Sequence, residues 1–419
     1  MKKTSIMVLS IILVIANLFG CVENTEHTGE ISSSVNNTIP SNIINENYQV
    51  YISTADIKTD VESINKKFTD TFTKYVQYIA PNGEPITIIA QDKISDEQLL
   101  KSYNILSFYL TSHKDYDMDS VANAIANSGA ILVMPNGADG DTWFNKAASY
   151  GQPVYEMEAP VTGDEWYTSN DYEHRDASYE EILHMVHDFG IGTASNPGAL
   201  PTLQQEINNA MENALPANED DWGKSGVGLW GYGSKDWLEE LSKEGSLEQE
   251  YLVSVTDSYY GLWESYSETD GGMWGIYIAK TREDIKEKDP IGYKLVESFL
   301  PPYFTYMDRL DDSFSGTFNM TLDINETYTY KSQYITNLRL TGSNNTNIIG
   351  NDLDNILLGN SGNNILDGGY GIDIVQFIGA SYEYILDGNV ITDTLNRDGQ
   401  DTLINIEVLR FTDKDIEIG

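Results

Sequence analysis

Cysteine is almost missing from this chain: 419 residues carry one, Cys21. No internal disulfide can form, which excludes a small cross-linked scaffold. Positive charge is scarce too, with 25 Lys and Arg against 65 Asp and Glu and a formal charge of −40. Such acidity repels phosphate backbones and anionic lipid, so nucleic acid is excluded as a partner. Histidine is limited to five residues. Beyond the first twenty positions no apolar run reaches the length that spans a bilayer. What the chain does have is 40% hydrophobic residues, enough for sizeable cores at about 100–200 residues per domain.

The N-terminus has the layout of an export signal. Met1-Lys2-Lys3 is positive and Ser5 to Ala16 is mostly apolar. Leu18-Phe19-Gly20-Cys21 resembles a lipobox, which implies lipidation of Cys21; Phe19 is unusual there, and ordinary secretion is the alternative. Residues 22–47 are polar and poor in aromatics, as expected of a flexible tether. The expectation is a signal peptide over 1–21 and an extracellular, cell-surface protein that touches membrane only through a lipid anchor.

From Gly350 the chain reads GNDLDNILL, GNSGNNILD, GGYGIDIVQ, with glycine at Gly350, Gly359 and Gly368 and isoleucine at Ile356, Ile365 and Ile374. A related unit, LTGSNNTNI, precedes them at an eight-residue offset. Glycines at the turns, with Gly362 and Gly371, permit positive φ and close backbone approach. Asn355, Asn364 and Asp373 recur at the sixth position and supply hard oxygens. The repeated isoleucine is expected to point inward and stack. This stretch resembles the RTX, or haemolysin-type, calcium-binding repeats, which implies a parallel β-roll with Ca²⁺ between its turns. The resemblance implies calcium contacts from Gly350, Asp352, Asn355, Gly359, Gly362, Asn364, Asp367, Gly368, Gly371 and Asp373. Two asparagines among the three sixth positions leave fewer charges for the ion, hence weaker or fewer sites. Downstream, alternating residues around turns at Asp387–Asn389 and Asn396–Gly399 predict antiparallel strands, similar to the cap that closes such rolls.

The body, residues 48–309, has α/β punctuation. PITIIAQ and AILVMP are expected strands, as is PVYEMEA. Helices are expected after the Ser95 cap and over MDSVANAIANSG. Asn136 to Asp141 reads as a turn, and Trp222, Trp230 and Trp237 as aromatic packing over the core.

The segment HRDASYEEILHMVHDFGIG holds the most chemistry. On a helix over Tyr179 to Phe189, Glu180, His184 and His187 share one face, a set able to bind Zn²⁺. The run Glu180-Glu181-Ile182-Leu183-His184 resembles the H-E-x-x-H helix of zincin metallopeptidases with glutamate in place of the first histidine. That resemblance implies Glu181 as general base and, as in gluzincins, a further ligand on a later helix, for which Glu264 beside Tyr259 and Tyr260 is the candidate. Ordinary packing of both histidines is the competing reading.

The fold expected is α+β: a zincin-like α/β body, connecting strands over 310–340, calcium-binding repeats over 341–375 forming an all-β parallel β-roll, and an antiparallel cap over 376–419. Two functions fit: a calcium-binding surface protein whose body is non-catalytic or binds an extracellular protein or peptide, or a secreted zinc metallohydrolase with a calcium-stabilised roll.

Overall fold

A computed structural model describes residues 55–138, 150–172 and 175–418. The signal segment with Cys21, the 22–47 tether, His174 and the end of the Asn136–Asp141 loop lie outside the described residues.

The body is built on a four-stranded sheet ordered β1 (Lys74–Ile79), β2 (Pro85–Ala90), β3 (Ile131–Met134), β4 (Gln152–Pro153). β1 and β2 are antiparallel, and β2, β3 and β4 run parallel. Alternate residues of the central strands enter different cores. Ile88 and Leu132 join the main cluster, while Ile89 and Val133 join a smaller one with Phe68, Phe72 and Tyr155. A sheet covered on both faces needs near-continuous apolar strands, which ITIIA and ILVM supply.

Helix α1 (Asp96–Tyr109) starts at Ser95 in a capping box with Gln98, each side chain bonded to the other's backbone N–H. Helix α2 (Met118–Ser128) stops at Gly129, whose φ of 70° closes the turn. The strand expected over PVYEMEA is mostly absent. Only Gln152 and Pro153 pair with β3, and Glu156 turns away to accept from the Gly137 N–H at 2.9 Å, leading into a 3-10 turn. After the short helix α3 (Glu165–Ser169) come α4 (Ser178–Val186), α5 (Pro201–Ala214), α6 (Lys235–Glu244), α7 (Leu247–Tyr259), α8 (Arg282–Lys288) and α9 (Pro290–Phe299). Trp230 and Trp237 meet edge to face at 5.6 Å and Trp222 is buried, so this aromatic segment packs inward.

The C-terminal part alternates between two six-stranded sheets. One is ordered β16 (Asp415–Glu417), β15 (Val408–Arg410), β11 (Ile374–Gln376), β9 (Ile356–Leu358), β7 (Ile335–Leu340), β5 (Phe304–Leu310). The other is β12 (Tyr384–Asp387), β13 (Val390–Asp393), β14 (Gln400–Ile404), β10 (Ile365–Asp367), β8 (Asn347–Ile349), β6 (Thr317–Asn319). Strands within the repeat pair in parallel with partners eighteen residues away, two nine-residue units, as in Ile374 with Ile356 and Leu366 with Ile348. The chain thus visits both sheets once per two units. The antiparallel strands expected near the end are present as β12, β13 and β14. That segment also extends both sheets, because β14 and β15 add parallel to β10 and β11. The first strand, β5, begins at Phe304, inside the expected body, and packs on it: Asn104 donates to the Met307 carbonyl at 3.1 Å and Thr162 to Asp308 at 2.7 Å.

The repeat's inward residue is not the isoleucine. Ile348, Leu357, Leu366 and Val375 are fully buried, whereas Ile365 is 42% exposed and Ile356 and Ile374 are half-buried. Strand alternation explains the shift. Asn355, Asn364 and Asp373 are buried, so the next residue faces out and the one after it faces in. We therefore expect Leu366→Ala to lower unfolding free energy by about 2–5 kcal/mol and Ile365→Ala to change it by less than about 1 kcal/mol, measured by urea denaturation. Similar losses at both positions would contradict this assignment of faces.

Candidate metal centre

Helix α4 brings the acidic run to the core. Glu180 and Glu181 sit in its first turn, where the helix dipole favours negative charge, and His184 in its last, where it favours positive charge. Lys101 on α1 pairs with Asp176, whose other oxygen bonds Ser178, so the start of α4 is anchored. Glu180 and His184, four residues apart, share a face. That face meets α7, which is buried from Glu248 to Tyr259.

There the carboxylates of Glu180 and Glu250 and the imidazole of His184 converge, with one ligand atom from each lying within 4.8 Å of the others. His184 Nε2 is 3.6 Å from Glu250 Oε1 and has no hydrogen-bond partner although buried. Its Nδ1 lies 3.7 Å from Glu181 Oε2, and that oxygen accepts from the Gln152 amide at 2.6 Å. Arg175 donates to Glu180 and stacks on Trp274 at 4.9 Å. Asp257 accepts from the Trp263 indole at 3.0 Å.

The electrostatics are those of a pocket short of positive charge. Burial works against a charged His184, but Glu250 first, then Glu181 and Glu180, hold its pKa well above the usual imidazole range. Burial also raises Glu250, against the attraction of His184 and with Glu180 and Glu181 adding to it. Burial, followed by Glu180, pushes Asp257 up to about 8, so it is protonated at neutral pH. With Asp257 neutral, the carboxyls of Glu180, Glu181 and Glu250 face the Arg175 guanidinium and the His184 imidazolium. A divalent cation would take the place of the His184 proton, leaving the ring as its neutral nitrogen ligand.

Of the residues expected to form a zinc site, the structure unites Glu180 and His184 and leaves out His187 and Glu264. His187 ends α4 and opens a π turn, His187–Ile191. Its Nε2 bonds Gln204 on α5 at 2.6 Å, and burial drops its pKa to about 4, so it stays neutral. The turn packs tightly on α2: a Cβ on Gly190 would meet Val121 at 2.5 Å and Ile125 at 2.9 Å. Glu264 lies beyond the end of α7, past Gly261 at φ +68°, and burial, then Asp284, push its carboxyl up to about 7. Glu181 faces the histidine nitrogen opposite Glu250, which places it behind the imidazole and not beside a metal-bound water. Glu250 is not among the residues expected from the sequence; its one signal is a carboxylate inside LEQEYLVSV, a stretch buried on every side of the helix.

In the repeats, Asp352 is exposed, and Asp367 accepts from Gly369 N–H at 3.2 Å and from the Asn405 amide at 2.8 Å. Gly350, Gly359, Gly362, Gly368 and Gly371 all lie where a Cβ would strike the neighbouring coil or a sixth-position side chain. No helix among the described residues is long and apolar enough to cross a membrane. No family model, curated protein or solved structure matches the chain.

Arg175 is the guanidinium that offsets Glu180. In metal-free protein, Arg175→Met is expected to cost about 3–5 kcal/mol, because it strands a buried charge, and adding Glu180→Met should recover most of that loss in thermal unfolding. A single-mutant cost below about 1 kcal/mol would show that Glu180 does not depend on Arg175.

Proposed function

We propose that the body is a divalent-metal-binding module in which the ion ties α4 to α7 through Glu180, His184 and Glu250. The observation that carries this reading is the buried, unpartnered Nε2 of His184 facing two carboxylates. A buried ring nitrogen 3.6 Å from the Glu250 carboxylate, beyond hydrogen-bond reach, is costly until something bridges that gap. One imidazole and two carboxylates suit Zn²⁺ or Mn²⁺. Glu181 serves as the partner of Nδ1–H, the role carboxylates commonly take behind a ligating histidine. Arg175 limits the charge gathered on Glu180.

A second reading, a metallohydrolase of the zincin kind, is favoured by the ligand count. Three protein ligands leave a tetrahedral ion one position for water. The placement of Glu181 against Nδ1 weighs against it, since the resemblance assigns this residue the base, so the structural role is preferred. The eighteen-residue register and two-sheet path support a β-roll for the C-terminal part, and the sequence around Cys21 supports export and lipid anchoring.

Full-chain protein dialysed against trace zinc and manganese should retain about one equivalent of metal by mass spectrometry. His184→Ala and Glu250→Gln should each lower affinity at least about tenfold with circular dichroism preserved, while Glu264→Gln keeps the parental value. Undiminished metal in both ligand variants would remove the site. Peptide hydrolysis by metal-loaded protein, lost in His184→Ala, would favour the hydrolase reading over the structural one.

A further inference from the structure

The repeats pose a separate question: what lies between successive coils. Asn355 Oδ1 accepts from the Asn351 N–H at 2.9 Å, and its Nδ2 donates to the Thr336 carbonyl at 3.1 Å and to Asn351 Oδ1 at 3.0 Å. Asn364 repeats the pattern on the other side of the stack. Its Oδ1 accepts from Asn360 N–H at 3.0 Å, and its Nδ2 donates to the Thr346 carbonyl at 2.8 Å and to Asn360 Oδ1 at 3.2 Å. Each residue's own N–H is taken by a carboxylate one coil further on, Asp373 for Asn355 and Asp401 for Asn364, both at 2.8 Å. The two columns therefore run from threonine carbonyl through asparagine to aspartate.

Calcium requires six to eight oxygens, freely directed at one point. The oxygens here are committed elsewhere. Besides the amide oxygens, Asn351 Oδ1 accepts from Leu353 N–H, Asn360 Oδ1 from Gly362 N–H, and the Gly350 carbonyl from Thr321. An amide NH₂, which repels a cation, points from Asn355 and from Asn364 toward the preceding coil. Asp373 Oδ2 has no partner, but its neighbour Glu407 is already bonded to the Asp373 N–H at 2.7 Å. Among the described residues, acidic and histidine ligand atoms gather in a group of three only at the body site.

We infer that in this chain hydrogen-bonded asparagine columns, not calcium ions, hold successive coils of the repeat together. The donor set does not fit the ion that the repeat's resemblance implies. Asparagine does the same mechanical job, because its NH₂ donates to the coil behind while its oxygen accepts within its own turn.

The test uses full-length protein with zinc present, so that the body's metal state stays fixed, and compares melting in chelator-free buffer cleared of calcium on a chelating resin before the zinc is added with melting in the same buffer plus about 5 mM calcium, above the range in which extracellular modules bind. Melting temperatures within about 2 °C of each other support the inference; a larger rise on adding calcium overturns it. Asn364→Asp keeps size and adds the charge a calcium site wants. It should melt below the parent in both media, and a variant that in calcium melts at or above the parent would overturn the inference.

Discussion

One constraint shapes the described interior: ten carboxylates are buried there against three Lys or Arg side chains. With 65 carboxylates and 25 basic side chains, ion pairing cannot serve generally. Desolvating a carboxylate without compensation costs several kcal/mol, so each buried one needs a donor, a proton or a metal. The chain uses the first two, and the third is the proposal for the body site. Backbone N–H groups meet Asp373 and Asp401, burial keeps a proton on Asp257, and at Glu180 and Glu250 a guanidinium and an imidazole stand where the proposed divalent ion would complete the balance.

Where cations do occur they are spent at junctions. Lys101 fixes the start of α4 through Asp176, Lys331 donates to the Tyr167 carbonyl at 3.0 Å, and Arg309 pairs with Glu97 across β5 and α1. Of these contacts, Arg309 ties the body to β5 and Lys331 ties it to the short helix Thr329–Ser332 that precedes β7. A single hydrophobic cluster runs through both, from Ile88 and Leu106 to Leu366 and Leu409. The body and the stacked sheets therefore share a core.

Much of the fold was legible in local pattern. Ser95 with Gln98 marked the start of α1, Gly129 the end of α2, and apolar runs the strands β2 and β3, because caps and periodicity act over a few residues. The nine-residue period foretold parallel strands at regular intervals. Which residue faces inward was misread, since the conspicuous isoleucine precedes the buried leucine by one position and only the inward asparagine sets the phase. The candidate site was half legible. Glu180 and His184 are four apart on one helix, a local relation; Glu250 joins them through α4 meeting α7, which no spacing encodes. His187 is drawn off by a local partner, Gln204 on α5, whose side chain its ring bonds.

The central claim is that an ion sits on His184 Nε2 between Glu180 and Glu250. Crystals of the full chain grown with zinc and measured on both sides of the zinc absorption edge would test it directly. The account predicts one anomalous peak in the body, within bonding distance, about 2.0–2.2 Å, of that nitrogen and both carboxylates. A Nε2 still bare, or hydrogen-bonded to a Glu250 that has moved in to meet it with no peak between them, would contradict it.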